Sequence, residues 1–119
     1  MGDRVLIQIV STDRKEFSPV AYGHWCGDHT PEIVARLKAR MLPGRPGDVA
    51  YTFARVIQEM TAGDTGALSF GAWNEPAILT AADSHGDAGV VLIDATTFRC
   101  KCLGGYLIAG RDGLPKRRA

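Results

Sequence analysis

Thr30-Pro31-Glu32-Ile33-Val34-Ala35-Arg36-Leu37-Lys38-Ala39-Arg40-Met41, then Pro43-Gly44-Arg45-Pro46-Gly47, then Asp48-Val49-Ala50-Tyr51-Thr52-Phe53-Ala54-Arg55-Val56-Ile57-Gln58-Glu59-Met60: this run decides the fold. Thr30 as N-cap, Pro31 at the first helical position and Glu32 beside the positive dipole end mark a helix start. Ile33, Val34, Leu37 and Met41 recur at helical spacing, while Arg36, Lys38 and Arg40 fall toward water. The Pro/Gly run stops that helix. Asp48 then caps a second one, with an apolar stripe of Val49, Phe53, Val56, Ile57 and Met60, ended by Ala62-Gly63-Asp64-Thr65-Gly66. Two successive amphipathic helices with no strand between them would both lie on one face of a sheet.

The flanks supply that sheet. Arg4 to Ser11 alternates Val5, Ile7, Ile9 with Leu6, Gln8, Val10, so one face is apolar and the other mostly so. Thr12 to Glu16 is a charged turn, and Phe17 to Trp25 reads as a second strand, with Pro19 near its start suiting an edge position. Ala67 to Trp73 predicts a strand. Glu75 to Ala82 could form a helical turn, and Ser84 to Gly89 is loop chemistry. Val90 to Asp94 reads as a buried, central strand, and Phe98 to Ala109 as a last strand with a bulge at Gly104-Gly105. The order β-β-α-α-β-β-β predicts an α+β fold: a two-layer sandwich, mostly antiparallel, with two helices on one face. Residues 1–110 make a single domain and 111–119 a basic C-terminal tail.

At 119 residues, 45% hydrophobic and 23% charged, the chain has globular composition and room for one domain. A net charge of +1 gives no electrostatic case for nucleic acid or an anionic membrane. Nucleic-acid contact is expected only through the tail, where Arg111, Lys116, Arg117 and Arg118 stand against Asp112; its bland alternative is a frayed, solvated end. The N-terminus shows no signal-peptide pattern, and Leu6 sits where a myristoylation motif needs Ser or Thr. Three cysteines imply no disulfide framework. A cytoplasmic protein with reduced thiols and no membrane contact is expected.

One cluster stands out: Tyr22-Gly23-His24-Trp25-Cys26-Gly27-Asp28-His29, at a strand end just before a helix start. On that strand, Tyr22, His24 and Cys26 share one face and Trp25 takes the other. Three chemistries compete. His24, Cys26, Asp28 and His29 are metal-ligand types, as are Cys100 and Cys102, but neither H-x-C-x-x-H nor C-x-C on a strand has zinc-motif spacing. Cys26 could be a nucleophile beside His24 or His29, or a histidine could act as base, although no nucleophile signature surrounds them. Finally, Trp25, Trp73, Tyr22 and Tyr106 are aromatic anchors of the kind that dominate binding surfaces. A second patch is His85-Gly86-Asp87, whose simplest alternative is a plain turn. No phosphate loop, dinucleotide fingerprint, H-E-x-x-H or G-x-S-x-G occurs.

The combination Tyr22-Gly23-His24-Trp25, Asp48-x-x-Tyr51 and His85-Gly86-Asp87-Ala88-Gly89 resembles a loose group of small bacterial and phage-type α+β proteins. The resemblance spans most of the chain. It implies a product of a phage, plasmid or integrated element, and some such proteins inhibit host defence systems, CRISPR effectors included, by binding a protein surface. Many of those are strongly acidic, unlike this near-neutral chain.

The reading is therefore a non-enzymatic protein-binding module, an accessory or host-defence inhibitor protein, needing no cofactor or metal and meeting a protein partner through His24, Trp25, Asp28, His29, His85 and Asp87. Its alternative is a small hydrolase or transferase built on a His/Cys/Asp site, metal-assisted or not.

Overall fold

A computed structural model of the chain describes residues 2–62 and 69–118. The chain is α+β. Its main sheet has five strands in the order β3-β2-β1-β4-β5: β1 (Val5–Val10), β2 (Phe17–Gly23), β3 (Phe70–Trp73), β4 (Gly89–Asp94) and β5 (Cys100–Leu103). Neighbours pair antiparallel except β1 and β4, which run parallel with Val5 opposite Gly89 and Val10 opposite Asp94. That parallel pair needs a long crossover. It contains β2, α1 (Thr30–Met41), α2 (Val49–Thr61) and β3.

β1 is the middle strand, and all six of its residues are buried. Alternation divides them between two cores. Val5, Ile7 and Ile9 join Val91 and Ile93 of β4 under α1 (Ile33, Val34, Leu37, Met41) and α2 (Val49, Val56, Met60). Each of these large side chains contributes about 1.5–3 kcal/mol by leaving water. Leu6 and Val10 join Val20, Val90 and Leu92 on the opposite face, which Ile78 and Leu79 of an irregular strap cover. Gln8, fully buried, fixes this strap: its Oε1 accepts from the Leu79 N–H at 2.9 Å and its Nε2 donates to the Ser18 carbonyl at 3.0 Å. The possible helical turn at Glu75–Ala82 reduces to one 3-10 turn, Ala81–Asp83, closed by a capping box between Thr80 and Asp83.

Several expected boundaries move. Thr30 is the first residue of α1 rather than its cap. A 3-10 turn, Gly27–His29, runs straight into the helix, so His29 already has helical backbone and no side chain caps the start. Asp48 does cap α2, its Oδ1 accepting from Tyr51 N at 2.9 Å. The second strand ends at Gly23, two residues early. A Cβ on Gly23 would collide with the Cys26 sulfur, which lies over this position as the chain turns.

The expected strand from Phe98 to Ala109 breaks in two at Gly104-Gly105 instead of bulging. Gly105 passes against the Ala88 carbonyl too closely for any Cβ, and Gly104 has φ +72°. Beyond the break, β6 (Leu107–Ala109) pairs antiparallel with β7 (Pro115–Arg117), so the basic end contributes a strand where fraying was the bland expectation. The expected stop of α2 at 63–66 and the start of the third strand at 67–68 lie outside the described residues. No helix among the described residues is long and apolar enough to cross a membrane.

Candidate functional site

Two consecutive residues ahead of β1 organise the surface. Asp3 holds the loop after β2: its N–H donates to the His24 carbonyl (2.8 Å), its carbonyl accepts from Gly27 N (2.9 Å), and its Oδ2 accepts from Asp28 N (2.8 Å). The other carboxylate oxygen accepts from the Tyr106 hydroxyl at 2.5 Å. Arg4 holds the loop before β4. Its Nε and backbone N–H both donate to Asp87 Oδ2, at 2.7 and 3.1 Å, and its NH2 group donates to the His85 carbonyl at 2.9 Å. The two patches that sequence reading separated by about sixty positions are thus braced side by side by Asp3 and Arg4, neither of which it singled out.

Between the patches stands Tyr22, half-buried on β2. Its hydroxyl is 2.8 Å from Nδ1 of His24. Its ring centroid lies 5.5 Å from that of His85 and 5.6 Å from that of Trp73, and His24 in turn meets Trp25 edge-on at 4.9 Å. Trp73 reaches Tyr22 because the residue opposite Tyr22 in β3 is Gly71, over which both rings lean. The result is a continuous aromatic ridge, Trp25–His24–Tyr22–Trp73 with His85 alongside. Its two ends are exposed: Trp25 keeps 47% of its surface in water and Trp73 37%. Beside it opens a cleft of about 150 Å³ lined by Leu6, Trp73, Glu75, Leu79, Asp83 and His85.

The nominated residues divide accordingly. His24, Trp25 and His85 belong to the ridge, and Asp87 supports it through Arg4. The Nε–H of Arg4, then its backbone N–H, hold the Asp87 carboxyl below the usual range against a burial effect that would raise it, with His24 adding a smaller downward pull. Asp28 and His29 are exposed on the 3-10 turn. His29 stands 3.8 Å from Asp28 and 3.9 Å from Glu32, and no ring contact or hydrogen bond among the described residues joins either to the ridge. Trp73 and Tyr22 were visible in sequence as aromatic anchors. Asp3 and Arg4 carried no signal beyond a charge pair ahead of an apolar run.

Cys26 departs from its expected place. Because β2 ends at Gly23, Cys26 does not share a face with Tyr22; it is 2% exposed in the helix-side core. Burial, reinforced by Asp3 and Asp28, pushes its thiol up to about 11. That is the reverse of an activated nucleophile. Cys102 is likewise pushed up to about 11 by burial, and burial raises Cys100 further. Among the described residues, no three His, Cys, Asp or Glu side chains converge as a metal site would require. What remains at the surface is a set of aromatic faces, ring nitrogens and a hydroxyl.

Comparison with models of protein families, with curated proteins and with solved structures finds no match.

Proposed function

We propose that the chain is a non-enzymatic protein-binding module that meets its partner through the ridge Trp25–His24–Tyr22–Trp73 and His85. The supporting observation is that two exposed tryptophans are linked by an unbroken series of ring contacts, with His24, Trp25 and His85 on loops braced by Asp3 and Arg4 and Tyr22 and Trp73 on β2 and β3. Exposed tryptophans cost free energy in isolation, and pre-positioned Trp and Tyr side chains are the usual hot spots of interfaces. The neighbouring cleft adds specificity: Glu75 and Asp83 supply negative charge and Trp73 a π face, a pairing that suits a Lys or Arg side chain of the partner. The resemblance to small phage-type proteins adds the setting: a cytoplasmic accessory or host-defence inhibitor protein of a bacterial mobile element. The enzyme alternative loses its nucleophile with the burial of Cys26.

Capture from bacterial lysate, identification of the partner and titration of the two purified proteins test this reading. Saturable binding is expected for the wild type. Trp25→Ala and Trp73→Ala, with circular dichroism unchanged, should each weaken it by roughly tenfold or more. A Lys101→Ala control on the opposite sheet edge should bind normally. Undiminished affinity in both folded tryptophan variants would refute the assignment.

A further inference from the structure

Away from the ridge, where the end of α1 meets the first turns of α2, a cleft of about 430 Å³ is lined by Arg40, Met41, Gly44, Arg45, Tyr51 and Arg55. Three guanidinium groups and a phenol face it, and no carboxylate is among the lining residues. From this convergence we infer that the cleft binds a phosphate group, independently of the ridge.

The charges around the cleft are unevenly answered. Glu59, 3% exposed, is shared by two arginines: Arg36 Nε lies 2.8 Å from Oε1, and Arg40 Nε 2.5 Å from Oε2 though poorly aligned for a hydrogen bond. Among the described residues the terminal nitrogens of Arg40 meet no acceptor. Arg55 donates to neutral groups, Gln58 Oε1 at 2.6 Å and the Tyr51 hydroxyl at 2.7 Å. Arg45 has only a loose pair with Asp48 at 3.9 Å, and the other Asp48 oxygen is taken by the Tyr51 N–H. Both Arg45 and Arg55 stack on one neutral ring, with Cζ 4.5 and 5.1 Å from the Tyr51 centroid. Arg45, whose nearest carboxylate oxygen is 3.9 Å away, is the group freest to fork onto an anion, while Arg55 adds charge and exchangeable N–H donors beside it.

Compensation of the α1 dipole accounts for Arg40, which lies in that helix's last turn. It does not account for Arg45 on the following loop or Arg55 within α2. The loop between them is not slack: Gly44 and Arg45 N–H groups donate to the Met41 carbonyl, and Gly47 donates to Ala95 across the domain. Three guanidinium groups, from α1, the following loop and α2, line one cleft, and that much positive charge suits a multiply charged anion with several oxygens, so phosphate fits better than carboxylate. The volume lies in the range of small-molecule sites. It also places the phosphate site at the Asp48-x-x-Tyr51 motif, where Asp48 sets the helix start and Tyr51 spaces two of the arginines.

The probes are inorganic pyrophosphate, for a small phosphorylated molecule, and a thymidine dodecamer, for phosphates on a strand. Titration at low salt should give saturable binding of at least one, with shifts confined to the Nε–H resonances of Arg40, Arg45 and Arg55 and to the Tyr51 ring. Pyrophosphate alone would indicate a small ligand; binding of the dodecamer with a steep salt dependence would indicate a strand. Arg45→Gln/Arg55→Gln should weaken binding by roughly tenfold or more. Should that variant unfold, Arg45→Lys keeps the charge, loses the fork, and should still weaken it. Trp25→Ala should leave it unchanged, which separates this site from the ridge. No saturable binding of either probe, or equal binding by the folded arginine variants, overturns the inference.

Discussion

Arg4 donates twice to a single carboxylate oxygen of Asp87, from Nε at 2.7 Å and from its main-chain N–H at 3.1 Å, joining the lead-in of β1 to the lead-in of β4. This contact should leave a signature in acid. The folded protein holds Asp87 below its ordinary value, so its contribution to stability is complete above the unfolded carboxylate pKa of about 4 and is lost as pH falls through the lower folded value. Asp94 behaves alike: burial would raise it, but Thr97 N–H, Thr96 N–H and the Thr12 hydroxyl overcome this and lower it. Urea midpoints should therefore be lower for Asp87→Asn than for wild type at pH 7, and the gap should narrow below pH 4. A gap that does not change with pH would exclude the linkage.

Asp3 braces the loop that carries Trp25, through backbone groups on either side of it. Asp3→Ala removes acceptors for Asp28 N–H and the Tyr106 hydroxyl. Charge-assisted hydrogen bonds are each worth about 1.5–3 kcal/mol, so the two together set an upper bound of about 3–6 kcal/mol on the loss. Amide exchange at Asp28 should accelerate while exchange in the middle of α2 changes only with global stability. Partner affinity should fall although every ridge residue is still present.

Gln8 is the polar pin of the far core. Replacing it with Leu leaves the buried Leu79 N–H without its acceptor, at a cost of about 1–3 kcal/mol. Chemical denaturation should register that loss. Hydrogen exchange should show the Leu79 amide opening before the β1 amides do. Unchanged protection at Leu79 would mean that the strap is held by Ile78 and Leu79 packing alone.

The cysteines should be slow. With the Cys26 and Cys102 thiols pushed up to about 11 and Cys100 raised further, little thiolate is present near neutrality. Iodoacetamide at pH 7.5 should label all three sluggishly, and at Cys102 the rate should climb with pH. Fast, selective alkylation of Cys26 in the folded protein would restore the nucleophile that its burial removes.

The alternating run of β1 and the two helical stripes were legible because burial periodicity is local: which face of an element turns inward is written within about ten residues. The Asp48 cap was legible for the same reason. Missed boundaries arose where remote contacts overrule local preference. Strand character persists past Gly23 in sequence, yet the Cys26 sulfur packs back over that glycine and turns the chain. Gly104-Gly105 signalled a disturbance, but only the approach of Ala88 makes it a break. Strand content in the basic end was hidden because Pro115–Arg117 has no strand pattern and gains its pairing from Leu107–Ala109.

By itself the sequence determined the class of fold, the helical faces, the central apolar strand and the aromatic and histidine residues available for contact, since these depend on side-chain type and short-range spacing. Tertiary structure alone decided that β4 joins β1 in parallel, that Cys26 enters the core, and that Trp25, Tyr22, Trp73 and His85 form one ridge held by Asp3 and Arg4. Those outcomes rest on pairings between residues dozens of positions apart. Hydrogen-bond and packing geometry selects such partners in the folded chain, and no local pattern encodes them.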